Sequence, residues 1–228
     1  MKKLFTMMLL AFAGLSTTVC GQDDFANFGR YQADNERLAA EANNGKRVVF
    51  MGNSITENWY SMHPNFFTEN GYIGRGIGGQ TSYQMLLRFY EDVINLKPAA
   101  VVINAGTNDV AINNHPYSER RTFQNIVAMA TLAKENGIKV ILTSVLPAAS
   151  FAWRPEITDA ADKIASLNAR IKKYAEKNGY PYVDYYSALV FGENRELNPD
   201  LRKDVAHPNE AGYDVMEPLV QKAIRRVL

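Results

Sequence analysis

From Arg47 onward the chain alternates short apolar runs with longer amphipathic segments. The apolar runs are continuous rather than alternating, the pattern of strands covered on both faces. They predict five strands, at Arg47 to Met51 (RVVFM), Tyr72 to Arg75, Ala99 to Asn104 (AAVVIN), Lys139 to Ser144 (KVILTS) and Tyr182 to Asp184 (YVD). Helical spacing fills the intervals. After Ser118, the residues Phe123, Ile126, Val127, Ala130 and Ala133 share one face, and Asn136 with Gly137 marks a stop. Ile164, Leu167, Ile171 and Tyr174 form the next stripe, with Thr158 or Asp159 as its cap and Asn178 with Gly179 as its end. A last helix is expected from Asn209 to Leu228. Right-handed crossovers joining such strands give an α/β three-layer sandwich, a parallel five-stranded sheet in the flavodoxin-like order 2-1-3-4-5. No repeat or low-complexity tract interrupts the pattern, so one domain is expected.

Residues 1–21 stand outside it. Lys2 and Lys3 precede an uncharged apolar stretch from Leu4 to Val19, followed by Cys20 and Gly21, which is the layout of an export leader. Gly14, Ser16, Thr17 and Thr18 weaken the run against the roughly 20 apolar residues of a bilayer span. The expected organisation is a signal peptide over 1–21 and a single domain over 22–228, with no membrane span and with export to the periplasm, the outer surface or the medium. Cys20 is the one cysteine among 228 residues. Either it leaves with the leader, or it becomes a lipidated N-terminus tethered through Gly21, Gln22, Asp23 and Asp24. In the first case the chain has no thiol nucleophile, thiolate metal site or disulfide. Lys and Arg number 25 against 24 Asp and Glu, a formal charge of +1 that the loss of Lys2 and Lys3 turns into −1. A near-neutral chain without runs of one sign does not suit nucleic acid, and a small or neutral partner is expected.

In an open parallel sheet, ligands bind beyond the carboxyl ends of the strands, where the strand order reverses. Three loops end there: Gly52-Asn53-Ser54-Ile55-Thr56, Gly74-Arg75-Gly76-Ile77-Gly78-Gly79-Gln80-Thr81 and Gly106-Thr107-Asn108-Asp109. Taken singly, each has an ordinary reading. Ser54 can be a helix cap, Asn108 and Asp109 turn residues, and the glycine loop a G-x-G-x-x-G dinucleotide motif, although it follows the second strand rather than the first. The picture changes with Asp204-Val205-Ala206-His207, just before the last helix. A serine hydrolase needs a nucleophile, an imidazole to take its proton and a carboxylate to fix the imidazole tautomer, and all three types now lie at strand ends or loops. His63 and His115, each beside a proline, are expected at the surface.

Together these four blocks resemble the SGNH, or GDSL-like, hydrolase family over nearly all of the chain after the leader, in the branch similar to platelet-activating-factor acetylhydrolase subunits and carbohydrate esterases. The resemblance implies Ser54 as nucleophile, His207 as base and Asp204 as its orienting carboxylate. It also implies an oxyanion hole made by the Ser54 and Gly79 amides and the Asn108 side chain, with no metal or cofactor. Two positions depart from the family pattern. Asn53 stands where aspartate usually precedes the nucleophile, and Val205 with Ala206 replaces the glycine usual between the triad aspartate and histidine.

Phe151-Ala152-Trp153-Arg154-Pro155 follows the fourth predicted strand on the same sheet edge. With Trp59, Asn53 and Arg154, Trp153 is a candidate substrate-binding residue, since a flat indole suits a sugar ring; both tryptophans can equally be packing residues. The expected function is a secreted serine esterase for short acyl groups, acetyl above all, carried on carbohydrate. Lysophospholipase or thioesterase action, a catalytically silent glycan-binding module and a flavodoxin-like nucleotide-binding protein are the competing readings.

Overall fold

A computed structural model describes residues 24–43 and 45–228. The expected leader and Cys20 lie outside the described residues. Five parallel strands form the central sheet: β1 (Val48–Gly52), β2 (Tyr72–Gly76), β3 (Ala100–Ile103), β4 (Lys139–Thr143) and β5 (Tyr182–Val183). Their order is β2-β1-β3-β4-β5, as the alternating pattern implies. In chain order the helices are α1 (Gln32–Ala40), α2 (Ser54–Met62), α3 (Pro64–Thr68), α4 (Ser82–Leu87), α5 (Phe89–Asp92), α6 (Thr107–Val110), α7 (Glu119–Glu135), α8 (Ala160–Asn178), α9 (Tyr185–Leu189) and α10 (Glu210–Val227). A two-stranded hairpin, β6 (Val190–Phe191) with β7 (Glu196–Leu197), stands apart from the sheet.

The continuous apolar runs are explained by what each face meets. Val49 and Met51 of β1, Val101 and Ile103 of β3, and Val140 and Leu142 of β4 enter one core with α4, α5, α7 and α8. Val48, Phe50, Ala100, Val102, Ile141 and Val183 enter the other with α2, α3, α9 and α10. Successive side chains point to opposite faces, so a strand buried twice has no polar position to spare. The helix ends follow the local chemistry. Ser118 caps α7 by accepting from the Arg121 amide, Asn209 caps α10 by accepting from Gly212, and Gly179 ends α8 with φ +69°. Asp159 occupies the α8 N-cap position without a side-chain bond to the helix.

The register sets up the site. Gly52 of β1 lies beside Gly76 of β2, so both strands end at the same level. Gly76 is required there, because a Cβ would collide with the Asn53 carbonyl and the Glu57 amide of α2. β2 therefore passes close beneath the start of α2 and delivers the next turn next to Ser54.

Candidate active site

Ser54 is the first residue of α2, at the sharp turn out of β1. The Asn53 side chain caps the helix by accepting from the Ile55 amide at 3.0 Å. The first amides of a helix have no intrahelical acceptor, and they carry the positive end of its dipole. Next to this turn runs Ile77-Gly78-Gly79-Gln80, closed by the Gln80 amide on the Ile77 carbonyl at 3.3 Å. Gly79 takes φ +75°, which a side-chain-bearing residue adopts only with strain. A Cβ placed on Gly78 would sit 3.9 Å from Ser54 Cβ, so the glycine turn directly flanks the serine.

Asn108, buried in the first turn of α6, donates from Nδ2 to the Gln80 carbonyl at 2.9 Å. That bond brings the third loop onto the second. Asp109 beside it is fully buried and ties the third loop to α4, accepting from the Ser82 amide at 2.8 Å, the Ser82 hydroxyl at 2.5 Å and the Thr122 hydroxyl at 3.1 Å. Burial pushes the Asp109 carboxyl above its ordinary value, and these donors offset only part of the effect. The Asp109 carboxylate thereby takes the Ser82 amide at the α4 N-terminus, where a dinucleotide pyrophosphate would have to bind, which argues against the G-x-G-x-x-G match as a cofactor cradle.

The fourth block closes the arrangement. Ser54 Oγ lies 2.8 Å from His207 Nε2, and His207 Nδ1 lies 2.9 Å from each Asp204 carboxylate oxygen. Asp204 also accepts from the Ala206 amide at 2.9 Å and the His207 amide at 3.0 Å. Partial burial acts to raise the Asp204 carboxyl pKa, but the Ala206 amide and the His207 ring and amide outweigh it and hold it below the ordinary value. An ionised carboxylate accepts only, so Nδ1 carries the proton and Nε2 is left to accept from the serine hydroxyl. Val205 and Ala206 do not disturb this geometry, because the spacing alone lets Asp204 turn back onto the ring.

Trp153 is 43% exposed, and its ring lies 6.4 Å from that of His207 at an interplanar angle of 28°. Its Nε1 donates to Asn113 Oδ1 at 3.0 Å, and Asn113 Nδ2 donates to the Gly79 carbonyl at 3.1 Å. Arg154 donates to the Ile112 carbonyl at 3.0 Å, where Ile112 holds φ +54°. Trp153, Asn113 and Arg154 thus build one wall beside the imidazole. Asn113 was not foreseen from sequence, where it reads as one more loop asparagine.

Two other expectations need correction. Trp59 does not face this crevice. It is 2% exposed, stacks on Tyr213 and Phe66, and donates from Nε1 to Glu217 at 3.2 Å, which makes it a core residue. Asn53 is 1% exposed and spent on capping, so it offers the substrate no side-chain surface. The two remaining histidines, expected at the surface, are half-buried there. His63 bonds Glu217 at 2.7 Å and packs on Tyr213, whereas His115 lies on Tyr83 with ring centroids 4.0 Å apart.

Among the described residues one set of three cation-type ligands converges, His63, Asp214 and Glu217. It lies between the far end of α2 and α10, and its imidazole and Glu217 carboxylate already satisfy each other. A groove of about 870 Å³ between α1 and the free edge of β2 has none of Ser54, Asp204 and His207 in its lining. No helix among the described residues is long and apolar enough to cross a membrane.

A doubly covered parallel sheet with a serine, an imidazole and a carboxylate in hydrogen-bonding sequence at its carboxyl edge defines a serine ester hydrolase. The chain belongs to the GDSL-like lipase/acylhydrolase family, whose pattern it matches over residues 50–215. A crystal structure of a GDSL-like lipase from Bacteroides thetaiotaomicron is 62% identical, with a TM-score of 0.88 over 90% of this chain and 100% of that one. Among characterised sequences, an acetylxylan esterase of Xylanibacter ruminicola is 23% identical over 215 residues, 78% of this chain and 43% of the esterase. An uncharacterised lipoprotein of Bacillus subtilis is 38% identical over 78 residues, 33% of this chain and 32% of the lipoprotein. The chain therefore matches less than half the length of either sequence relative.

Proposed function

We propose that the protein is an exported esterase that removes short acyl groups, acetyl above all, from carbohydrate. Ser54 is the nucleophile, His207 the general base and acid, and Asp204 the group that fixes the imidazole. The observation that carries this reading is the unbroken line of contacts from Ser54 Oγ to His207 Nε2 at 2.8 Å and from His207 Nδ1 to Asp204 at 2.9 Å.

The chemistry proceeds in two halves. Ser54 Oγ attacks the ester carbonyl as its proton passes to His207 Nε2, giving a tetrahedral oxyanion and an imidazolium beside the Asp204 carboxylate. The Ser54 and Gly79 amides and the second N–H of Asn108 Nδ2 receive the oxyanion. His207 then protonates the departing alcohol, and a water activated by the same imidazole releases the acid. No step draws on a metal or cofactor.

The acetyl and carbohydrate preference is supported by the exposed face of Trp153 beside His207 and by the likeness to an acetylxylan esterase. Export is supported by the leader pattern of residues 1–21 and by a relative described as a lipoprotein, and the domain is taken as residues 22–228. The intact mass of the exported protein distinguishes removal of Cys20 from its lipidation.

The test is hydrolysis of p-nitrophenyl acetate, butyrate, octanoate and palmitate by the wild type and Ser54→Ala, followed by acetate release from acetylated xylan. Activity lost with Ser54 and falling with acyl length is expected. Faster cleavage of the long esters overturns the acetyl assignment in favour of a lysophospholipase or thioesterase type. A folded wild type that neither turns over nor reacts with a fluorophosphonate at Ser54 overturns the catalytic reading in favour of a binding module.

A further inference from the structure

Arg88 breaks an apolar stretch, Met85-Leu86-Leu87-Arg88-Phe89, at the joint between α4 and α5, and its side chain is fully buried. Asp92, one turn on, balances the charge through a 2.6 Å contact with Nη1. An apolar side chain would fill this space without needing a counter-charge, and replacing buried ion pairs by apolar groups often costs a protein nothing. What the guanidinium adds is a rigid planar set of donors.

Those donors reach three segments that converge on Ser54. Nε donates to Gln80 Oε1 at 2.6 Å, and Nη2 donates to the Gly52 carbonyl at 2.9 Å and the Arg75 carbonyl at 3.0 Å. Gly52 is two residues before Ser54, Arg75 lies at the end of β2, and Gln80 immediately follows Gly79. Gln80 is in turn held from its other side, where Nε2 donates to the Ala26 carbonyl at 2.8 Å. Its backbone carbonyl receives the Asn108 amide. Whatever fixes Gln80 therefore fixes the direction of Asn108 as well.

We infer that Arg88 is a positioning residue for ester hydrolysis, its buried fork setting the spacing between Ser54 and the Gly79 and Asn108 donors through Gly52, Arg75 and Gln80. The inference rests on the esterase reading above. It concerns the transition state rather than substrate binding, because the groups it locates meet the oxyanion. A displacement of a fraction of an ångström in such donors is enough to slow the chemical step.

Arg88→Lys keeps the charge opposite Asp92 and removes the fork. In the folded variant, verified by near-ultraviolet circular dichroism and melting, kcat on p-nitrophenyl acetate is expected to fall about tenfold or more with KM within about twofold. The inhibition constant of a trifluoromethyl ketone, a mimic of the tetrahedral adduct, should rise by the same factor as kcat/KM falls. A smaller folded fraction would lower apparent kcat and leave that constant unchanged, which separates positioning from simple destabilisation.

A double-mutant cycle supplies an arm that does not depend on Arg88→Lys folding. Gln80→Ala should lower kcat severalfold in the wild type but by less than about twofold in Asn108→Ala, where the amide that Gln80 orients is gone. The inference is overturned if folded Arg88→Lys keeps kcat and the inhibition constant within about twofold of wild type, or if the two effects in the cycle simply add. Failure of the esterase reading looks different: the wild type itself then shows no Ser54-dependent hydrolysis, and the inference falls with it.

Discussion

Asn108→Ala separates the two duties of one side chain. In the structure Asn108 Nδ2 has a single recorded bond, to the Gln80 carbonyl at 2.9 Å, which leaves its other N–H for the oxyanion. Truncation removes one of three proposed donors, and one such donor is worth about 2.7 to 4 kcal/mol of transition-state stabilisation, a loss in kcat of about 10² to 10³. It also leaves the buried Gln80 carbonyl without its partner, at about 1 to 3 kcal/mol of stability. For a domain of this size that corresponds to a melting temperature lower by roughly 2 to 12 °C. The variant should therefore be folded at assay temperature and slow, with KM on p-nitrophenyl acetate little changed. Asn108→Asp should be slower still, because a carboxylate would face both the Gln80 carbonyl and the forming oxyanion. The assay is initial-rate kinetics on the acetate ester beside a thermal melt of the same preparation. A folded Asn108→Ala with kcat within about threefold of wild type would remove Asn108 from the oxyanion hole.

Trp59→Ala should destabilise by about 3 to 5 kcal/mol, since it empties a space enclosed by Phe50, Phe66 and Tyr213. An unchanged melt with a raised KM would instead return Trp59 to the substrate pocket. Trp153→Ala should raise KM for acetylated xylo-oligosaccharides about three- to tenfold and leave ethyl acetate within about twofold, as measured by acetate release. Equal effects on both substrates would mean that the indole contacts no sugar. Asp204 gives a pH signature. Its folded pKa is depressed, so its contribution to stability is present above the ordinary carboxylate range and is lost as pH falls through the folded value. The melting advantage of wild type over Asp204→Asn should shrink as pH falls below about pH 4; an advantage that keeps growing below that pH would contradict the assignment.

The strands of the central sheet were readable because burial on both faces leaves a continuous apolar run, and each lies within one residue of its expected bounds, whereas the two-residue strands β6 and β7 gave no such run. The ends move because pairing, not side-chain character, decides where a strand stops. α1 escaped notice for the opposite reason: Leu38 is its one buried residue, so it has little apolar stripe to read. Three of the chemistry-bearing blocks were legible because each follows a strand of the sheet within a few residues, and the fourth, Asp204 to His207, because it pairs a carboxylate with an imidazole just before the last helix. For Trp59 the packing reading is the one that holds, because proximity to Ser54 along the chain is not proximity to the crevice in space. Five residues along a helix is about 140° of rotation past a full turn, which aims Trp59 at α10 rather than at the opening beside Ser54. Gln80 and Arg88 act on carbonyls from distant segments, and no local pattern announces that. The one trace is the charge of Arg88 inside an apolar run.

The site is built in two halves of different stiffness. On one side Ser54, Gly79 and Asn108 sit on strand ends and short helices bound together by Arg88, Gln80 and Asp109, all buried. On the other, His207 and the 48% exposed Asp204 side chain belong to a loop whose backbone turns back on itself. There the Lys203 amide meets the His207 carbonyl at 2.8 Å, and the Asn209 amide meets the Leu201 carbonyl at 3.0 Å. The halves are joined by the Ser54–His207 contact, by Val205 and Ala206 packed into the core of the first half, by the Trp153 ring on His207, and by the pairing of the helices α2 and α10. Tyr213 on α10 donates to the Ile55 carbonyl of α2 at 2.8 Å, while Glu217, one turn further on, accepts from Trp59 and faces His63. These contacts fix how α10 lies along α2, and so hold the imidazole over the serine although its own loop is open to solvent. Damage to the buried half should therefore appear in stability and in kcat together. Loss of the His207 ring, which is not part of either core, should weigh more on kcat than on the melt.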